Sequence, residues 1–240
     1  MIRLLDQAEL GHMEELRGRH FCECRIKAMA KAYGAGYEWV RFYADEQWST
    51  LLCMERGSAT LFCRESLPNP DTEGLLMAAA TEVLSEIPLV LPGFYEEKGL
   101  VFGKKFLSSV QLEGVSSRIA DAYEILFRIF PNEVNQTCFP EWYADLSHRI
   151  RHGMSRIYTL PGKCTATLSC RENGALFLSQ LGTLLGYRRQ GLAAALIGHI
   201  AAESDCSGPV VLLSRDMESD EFYRHIGFLE MGNWYYYRRQ

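Results

Sequence analysis

The chain has 240 residues, of which 48% are hydrophobic and 12% aromatic, and its formal net charge at pH 7 is −5. This length permits one large domain or two modest ones, and the apolar content predicts a globular protein throughout. The acidic balance argues against a nucleic-acid partner, which clustered lysines and arginines normally bind. The chain has no apolar run of about eighteen residues and no secretory signal, so we expect a cytoplasmic protein without a membrane partner.

The N-terminal half reads as a mixed α/β unit with short elements. In chain order we predict a helix over about the first twenty residues, a helix at 24–36, strands at 37–43, 49–54 and 58–63, a loop at 67–74, a helix at 75–86 and a strand at 88–91.

The C-terminal half reads as a helix followed by an antiparallel meander and a second pair of helices. We predict a helix at 140–152, strands at 156–160, 164–170 and 175–185 with turns at Pro161-Gly162 and Asn173-Gly174, a helix at 191–204, a strand at 209–213, a helix at 218–226 and a strand at 233–238. We therefore divide the chain into domains 1–115 and 116–240.

Two pairs of segments suggest an internal duplication. Residues 50–57 match residues 167–174 at Thr, Leu, Cys, Glu and Gly, and residues 94–100 echo residues 222–228. The offsets of the two pairs differ, and short strand-turn-strand segments also match by chance, so both interpretations stay open.

The eight cysteines form no CxxC pair, so we expect reduced, mostly buried thiols and no metal site. Cys164 and Cys170 alternate with polar residues along one predicted strand, and we expect both in the core.

Most of the chemical information lies where the strand ending at Leu185 leads through a short loop into a helix. The loop carries Arg188, Arg189 and Gly191. Amides in the first turn of a helix lack intrahelical partners, and the helix dipole adds partial positive charge, so this junction can hold a pyrophosphate. Small residues at Gly191 and Ala193 let the main chain approach phosphate oxygens.

The pattern Arg188-x-x-Gly191-x-Ala193 resembles the Arg/Gln-x-x-Gly-x-Gly/Ala signature of the GNAT superfamily of acyl-CoA N-acyltransferases. Residues 222–228, with Tyr223, Gly227 and Phe228, are similar to that family's late helix with a Tyr-x-x-x-Gly-Phe end. The resemblance covers residues 140–240. It implies a mainly antiparallel α/β sheet flanked by helices, and the repeat suggests a second, degenerate GNAT-like unit before it.

The resemblance also implies functional residues for the transfer of an acetyl group from acetyl-CoA to an amine of a small molecule or peptide. The main chain of Leu181 and Thr183 would bind the pantetheine arm, and Tyr223 would protonate the leaving thiolate. The diphosphate would lie on residues Arg188, Arg189, Gln190, Gly191, Leu192 and Ala193.

The chain departs from the family at Asp216, where Asn is frequent, and at Ser219, where Ala is frequent.

Other polar residues are open to more than one interpretation. Glu141, Asp145, His148 and His152 lie on one predicted helix, and we favour a solvated polar face over a base or zinc site. His199 reads as a satisfied helix histidine. A non-catalytic acyl-CoA-binding module, or a relative of the fold that binds no CoA, are the alternatives to an enzyme. We expect a monomer or homodimer.

Overall fold

The fold is described from a computed structural model, which covers residues 1–16, 18, 20–65, 68–106, 110–131, 139–204 and 206–240. In chain order its elements are β1 (Ile2–Leu4), α1 (Gln7–Glu15), α2 (Phe21–Tyr33), β2 (Val40–Asp45), β3 (Thr50–Glu55), β4 (Ser58–Cys63), α3 (Pro70–Ala79), β5 (Glu82–Ser85), β6 (Phe94–Lys104), α4 (Ile119–Ile129), α5 (Phe139–Arg151), β7 (Arg156–Leu160), β8 (Cys164–Glu172), β9 (Ala175–Thr183), α6 (Leu192–Glu203), β10 (Val210–Leu213), α7 (Met217–His225) and β11 (Leu229–Arg239).

The chain forms two compact units. Unit 1 combines Met1–Phe102 with Leu213–Gln240, and unit 2 is Gly103–Leu212. These boundaries differ from our division at 115/116, because β11 pairs antiparallel with β5 through partners such as Tyr235 and Ser85. That pairing brings the last residues of the chain into the first unit. The division into an N-terminal α/β domain at 1–115 and a GNAT domain at 116–240 stays a prediction.

Unit 1 has the strand order β1-β2-β3-β4-β5-β11-β6. The pairs of neighbours from β1 to β4 are antiparallel and β4–β5 is parallel. One core lies around Leu52, Leu61, Leu76 and Val83, which are all fully buried. The hydroxyl of Tyr237 in β11 accepts a hydrogen bond from Leu89 N at 2.7 Å, so the last strand is also tied to the loop after β5.

Unit 2 has the strand order β10-β9-β8-β7, in which β9–β10 is parallel and the other pairs are antiparallel. Helix α4 packs on β7, β8 and β9, and α6 packs on β8 and β9. Ala122, Leu146 and Ile157 form a core between α4, α5 and β7. The predicted mixed, mainly antiparallel sheet with flanking helices is thus confirmed. No helix in the described ranges is long and apolar enough to cross a membrane.

Several predicted elements were wrong. Residues 82–85, predicted as the end of a helix, form β5, because they gain strand partners on both edges from β4 and β11. The predicted strand at 88–91 is irregular, and the first twenty residues begin with β1 rather than a helix. Helix α4 and strand β6 were missed. The first half of β6 contains the charged residues Glu96, Glu97 and Lys98, of which Glu96 and Lys98 are exposed, and these interrupt any apolar alternation.

The two candidate repeats have different outcomes. Residues 50–57 and 167–174 both form a strand that ends in a tight turn, and Arg56 and Asn173 have φ of 48° and 49°. The second echo does not hold in structure, because Phe94 begins strand β6 whereas Phe222 lies in helix α7.

The described cysteines are free, and Cys138 lies outside the described residues. Cys164 and Cys170 are buried as predicted. Burial raises the pKa of the Cys164 thiol, which keeps it protonated and unreactive at neutral pH.

Gly99 in β6 supplies a test of packing in unit 1. A Cβ at this position would lie 2.0 Å from Ser214 O and 2.7 Å from Trp234 Nε1. The Trp234 Nε1 atom donates a hydrogen bond to Ser214 O at 2.7 Å, so there is no room between them. We expect Gly99→Ala to lower the free energy of unfolding by about 3 kcal/mol, measured by urea denaturation.

Gly232→Ala is the matched control, because nothing lies within 4 Å of a Cβ there although Gly232 is also in a strand. Equal effects of the two substitutions would contradict the packing argument.

Candidate functional site

Strand β9 is longer than its parallel neighbour β10, which pairs with only part of one edge of β9. The parallel pairing joins Leu176, Phe177 and Leu178 to Val210–Leu212, whereas β9 continues to Thr183. Within the described part of unit 2, no strand pairs with that edge after Leu178. Main-chain N–H and C=O groups of residues 179–183 can therefore hydrogen-bond an extended ligand, as an added strand would.

Residues 179–183 of β9, which extend past β10, are called the overhang below. A β-bulge interrupts the other edge of the overhang. The register with β8 passes from Thr165↔Gly182 to Thr167↔Ser179, so β9 uses one more residue than β8 over this stretch. Gln180 has φ of 52°, and its Oε1 accepts a hydrogen bond from Thr167 Oγ1 at 2.8 Å. A bulge redirects main-chain groups at the place where it occurs, which here is next to Leu181.

Helix α4 holds the overhang from one face. A Cβ on Gly182 would lie 2.7 Å from Ile129 Cδ1 and 3.8 Å from Phe130 Cε2. A glycine inside a strand commonly marks such a close approach, and this was the available sequence signal for it. Thr183 Oγ1 also donates a hydrogen bond to Cys164 Sγ at 3.2 Å, so the end of β9 is fixed to β8 as well.

The loop after β9 ends in a left-handed turn at the start of α6. Arg189 has φ of 60° and Gly191, the N-cap, has φ of 75°. Ala195 N donates to Gly191 O at 2.9 Å, so the amides of residues 192–194 precede the first intrahelical bond. Left-handed residues in such a turn aim main-chain N–H groups into one concavity, and the helix dipole adds positive potential. This geometry suits an anion.

The side chains of the loop are exposed and carry only positive charge. Arg188 Nε donates to Thr183 O at 3.3 Å, and Gln190 Nε2 donates to Gly186 O at 3.2 Å. Residues 181–197 include two arginines and no carboxylate. In a chain with net charge −5, this segment is therefore a local site of positive charge.

Tyr223 lies in unit 1, on α7. Its ring contacts the rings of Phe102 and Phe228 at centroid distances of 5.3 and 5.7 Å, and the residue is buried. Burial, with the charges of Asp216 and Asp220, raises the pKa of the Tyr223 phenol. The hydroxyl therefore keeps its proton at neutral pH, as a proton donor must.

No protein-family model and no curated protein matches the chain, whereas solved structures match almost its whole length. A Drosophila protein is 12% identical, with a TM-score of 0.63, and the match covers 100% of this chain and 98% of the other. A GCN5-related N-acetyltransferase from Sphaerobacter thermophilus is 12% identical, with a TM-score of 0.57 and coverage of 99% and 94%. A tandem GNAT protein from the clavulanic acid biosynthesis pathway is 10% identical, with a TM-score of 0.58 and coverage of 99% and 97%.

The chain has the GNAT fold. At identities of 10–12% the likeness concerns the fold alone. The tandem GNAT protein matches over nearly its whole length, which agrees with the predicted organisation in two GNAT-like units.

Within this GNAT fold, the predicted cofactor-binding residues form one continuous segment of unit 2. Leu181 and Thr183 lie in the overhang of β9, Arg188, Arg189 and Gln190 in the loop, Gly191 at the N-cap, and Leu192 and Ala193 in the first turn of α6. Tyr223 belongs to unit 1. Cofactor binding by these residues and catalysis by Tyr223 remain predictions.

Asp216 explains one departure from the family pattern. It is the N-cap of α7, and its carboxylate accepts a hydrogen bond from Ser219 N at 2.7 Å. Aspartate is among the best N-cap residues, so this residue has a structural role that Asn would also fill.

The polar residues of α5 have structural partners. Arg149 donates to Asp145 Oδ2 at 2.6 Å and to Ser155 Oγ at 3.2 Å, and the rings of His148 and His152 lie 4.4 Å apart. In the described ranges, no group of three metal-ligating side chains is present.

His199 on α6 accepts a hydrogen bond from Leu112 N at 3.3 Å and lies 3.6 Å from Glu203, which confirms a satisfied helix histidine.

Gly191 tests the left-handed turn. Nothing lies within 4 Å of a Cβ at Gly191, so Gly191→Ala introduces backbone strain without a clash. With φ of 75°, we expect the substitution to lower the free energy of unfolding by about 1–2 kcal/mol, measured by urea denaturation.

Gly186→Ala serves as control, because Gly186 has equal space and is not among the residues with positive φ. If Gly186→Ala lowered the free energy of unfolding as much as Gly191→Ala, the result would argue against the need for a left-handed conformation at Gly191.

Proposed function

We propose that the chain is an N-acetyltransferase that transfers an acetyl group from acetyl-CoA to a primary amine of a small molecule or peptide. The observation that carries the proposal is the overhang of β9, which leads directly into the left-handed turn at the N-terminus of α6. An extended arm that ends in a diphosphate matches this sequence of features, and the pantetheine diphosphate of CoA has that shape.

The donor would bind through main-chain groups first. The arm would add to the free edge at Leu181 and Thr183, and the diphosphate would accept hydrogen bonds from the amides around Gly191. Arg188 and Arg189 would add charge-assisted hydrogen bonds to the phosphates. A main-chain N–H beside the bulge at Gln180 would polarise the thioester carbonyl, since donors fixed in advance stabilise a developing oxyanion.

The reaction would then be direct. The neutral amine attacks the carbonyl carbon of the thioester, the C–S bond breaks, and the thiolate takes a proton. We assign that proton to the Tyr223 phenol, which its raised pKa keeps protonated at neutral pH. We assign no residue to the base that receives the proton of the amine. A cytoplasmic location and a monomeric or dimeric state also stay predictions.

The first test is binding of the cofactor to the purified protein. Calorimetric titration should give CoA at least about 10-fold higher affinity than pantetheine, which lacks the diphosphate, because charged hydrogen bonds contribute about 1.5–3 kcal/mol each. Arg188→Ala should weaken CoA binding about 10-fold and leave pantetheine binding unchanged.

Arg171→Ala removes an exposed arginine of β8, elsewhere in the same unit, and should change neither affinity. Equal affinities of the folded protein for CoA and pantetheine would refute diphosphate binding by the amides around Gly191 and by Arg188 and Arg189.

The second test is turnover. Release of CoA thiol from acetyl-CoA should be seen with members of a panel of amines, and Tyr223→Phe should lower kcat about 100-fold while the affinity for CoA is kept. Tyr95→Phe, at an exposed tyrosine of unit 1, is the control. CoA binding without turnover on any amine would favour a non-catalytic binding module, and full activity of Tyr223→Phe would exclude the assigned acid.

A further inference from the structure

A cavity of about 190 Å³ lies between helices α1 and α2 of unit 1. Its wall on α2 includes Lys27, Ala30 and Lys31, whose spacing places them on one face of that helix. Its wall on α1 includes Gly11. Large side chains normally fill the space between packed helices, and the small residues Ala30 and Gly11 leave this space open.

The cavity is large enough for a small organic ligand and open to solvent. A cavity of about 150 Å³ can hold benzene, so this one has room for about six to ten non-hydrogen atoms. Gly11 and Lys31 are exposed, and they form part of its rim. A ligand can therefore enter without a rearrangement of the helices.

The polar groups of the lining are hydrogen-bond donors. Gln7 Oε1 accepts a hydrogen bond from Ala35 N at 2.9 Å, which fixes the amide and leaves Nε2 as its donor. Lys27 is buried, and its Nζ donates to Leu16 O at 2.5 Å. No acidic residue is among the described residues that line the cavity.

Lys31 supplies positive charge at the rim. It forms no hydrogen bond or salt bridge with another described residue. A lysine ammonium is a point charge with three donors, so an anion placed beside it would gain charge-assisted hydrogen bonds. The polar side of the cavity therefore suits a negatively charged group.

The remaining part of the lining is apolar. Leu10 and Met13 of α1 are 4% and 0% exposed, and Met side chains adapt to ligands of irregular shape. An inorganic anion would leave this apolar surface without a partner. A ligand with a short hydrocarbon chain would cover it.

We propose that the cavity between α1 and α2 binds a short-chain carboxylate. The carboxylate group would accept hydrogen bonds from Lys31 and from Gln7 Nε2, and the chain would lie against Leu10 and Met13. This site uses none of the residues assigned to acetyl transfer, and the proposal does not depend on that reaction.

The ligand test compares hexanoate with hexanol, which has the same chain but no charge. Calorimetric titration of the full chain without CoA should show about 10-fold tighter binding of hexanoate, because hydrogen bonds to charged groups are the stronger ones. Acetate has the charge without the chain and should bind about 10-fold more weakly than hexanoate.

Lys31→Met removes the charge and keeps the length of the side chain. It should reduce the preference for hexanoate over hexanol at least about 5-fold. Lys98→Met is the matched control, because Lys98 is also an exposed lysine of unit 1 and lies on β6. It should leave the preference unchanged.

Gly11→Leu separates binding from stability. Nothing lies within 4 Å of a Cβ on Gly11, so a leucine there can occupy the open space. Leucine favours a helix more than glycine does, so the Tm should rise by about 2 °C while the affinity for hexanoate falls at least about 10-fold. Gly74→Leu in α3 has equal space and should raise the Tm without changing the affinity.

The proposal is overturned if the folded protein binds hexanoate no more tightly than hexanol, or if Gly11→Leu keeps the full affinity for hexanoate. Both measurements are made without acetyl-CoA, so the carboxylate site can fail while thiol release from acetyl-CoA is observed. Conversely, hexanoate binding that depends on Lys31 would support the site even if the chain showed no turnover.

Discussion

The pairing of β9 with β10 ends at Leu178, yet β9 remains a strand up to Thr183. A strand edge without a partner is normally a liability, because its N–H and C=O groups invite pairing with another chain. Here the other edge and one face are fixed by β8 and α4, so the overhang keeps its extended shape without β10. The bulge at Gln180 and the turn at Gly191 follow within the same short segment. The proposed contacts to the pantetheine arm of acetyl-CoA depend on this one unpaired edge.

The elements that could be predicted well are those whose own residues favour the secondary structure that they adopt in the fold. Strands β4 and β7 have the expected bounds, and α6 starts one residue after its predicted first residue. Gly191 could be recognised because a small residue lets the main chain approach phosphate oxygens, and the arginines before it lie in a segment without carboxylates. The local part of the candidate site was therefore accessible from residue types and their order.

Elements that depend on distant partners could not be predicted in the same way. Residues 82–85 have no strong periodicity, and they form a strand because β4 and β11 pair with them. The bulge at Gln180 follows from a register that only the paired strands define. Helix α4 has a clear apolar face, but its packing on Gly182 and the meeting of Tyr123 with Trp142 arise from tertiary structure. Asp216 likewise reads as a family departure until the helix it caps is seen.

Unit 1 is discontinuous in sequence, since Leu213–Gln240 completes a sheet that Met1–Phe102 begins. Strand β11 supplies partners to β5 that are separated from it by about 150 residues. During synthesis β5 therefore lacks its neighbour β11 until the whole of unit 2 has been made. Unit 2 is continuous and can fold as soon as it leaves the ribosome, whereas unit 1 closes only when the last strand arrives. Unit 1 is therefore completed last, although it begins first along the chain.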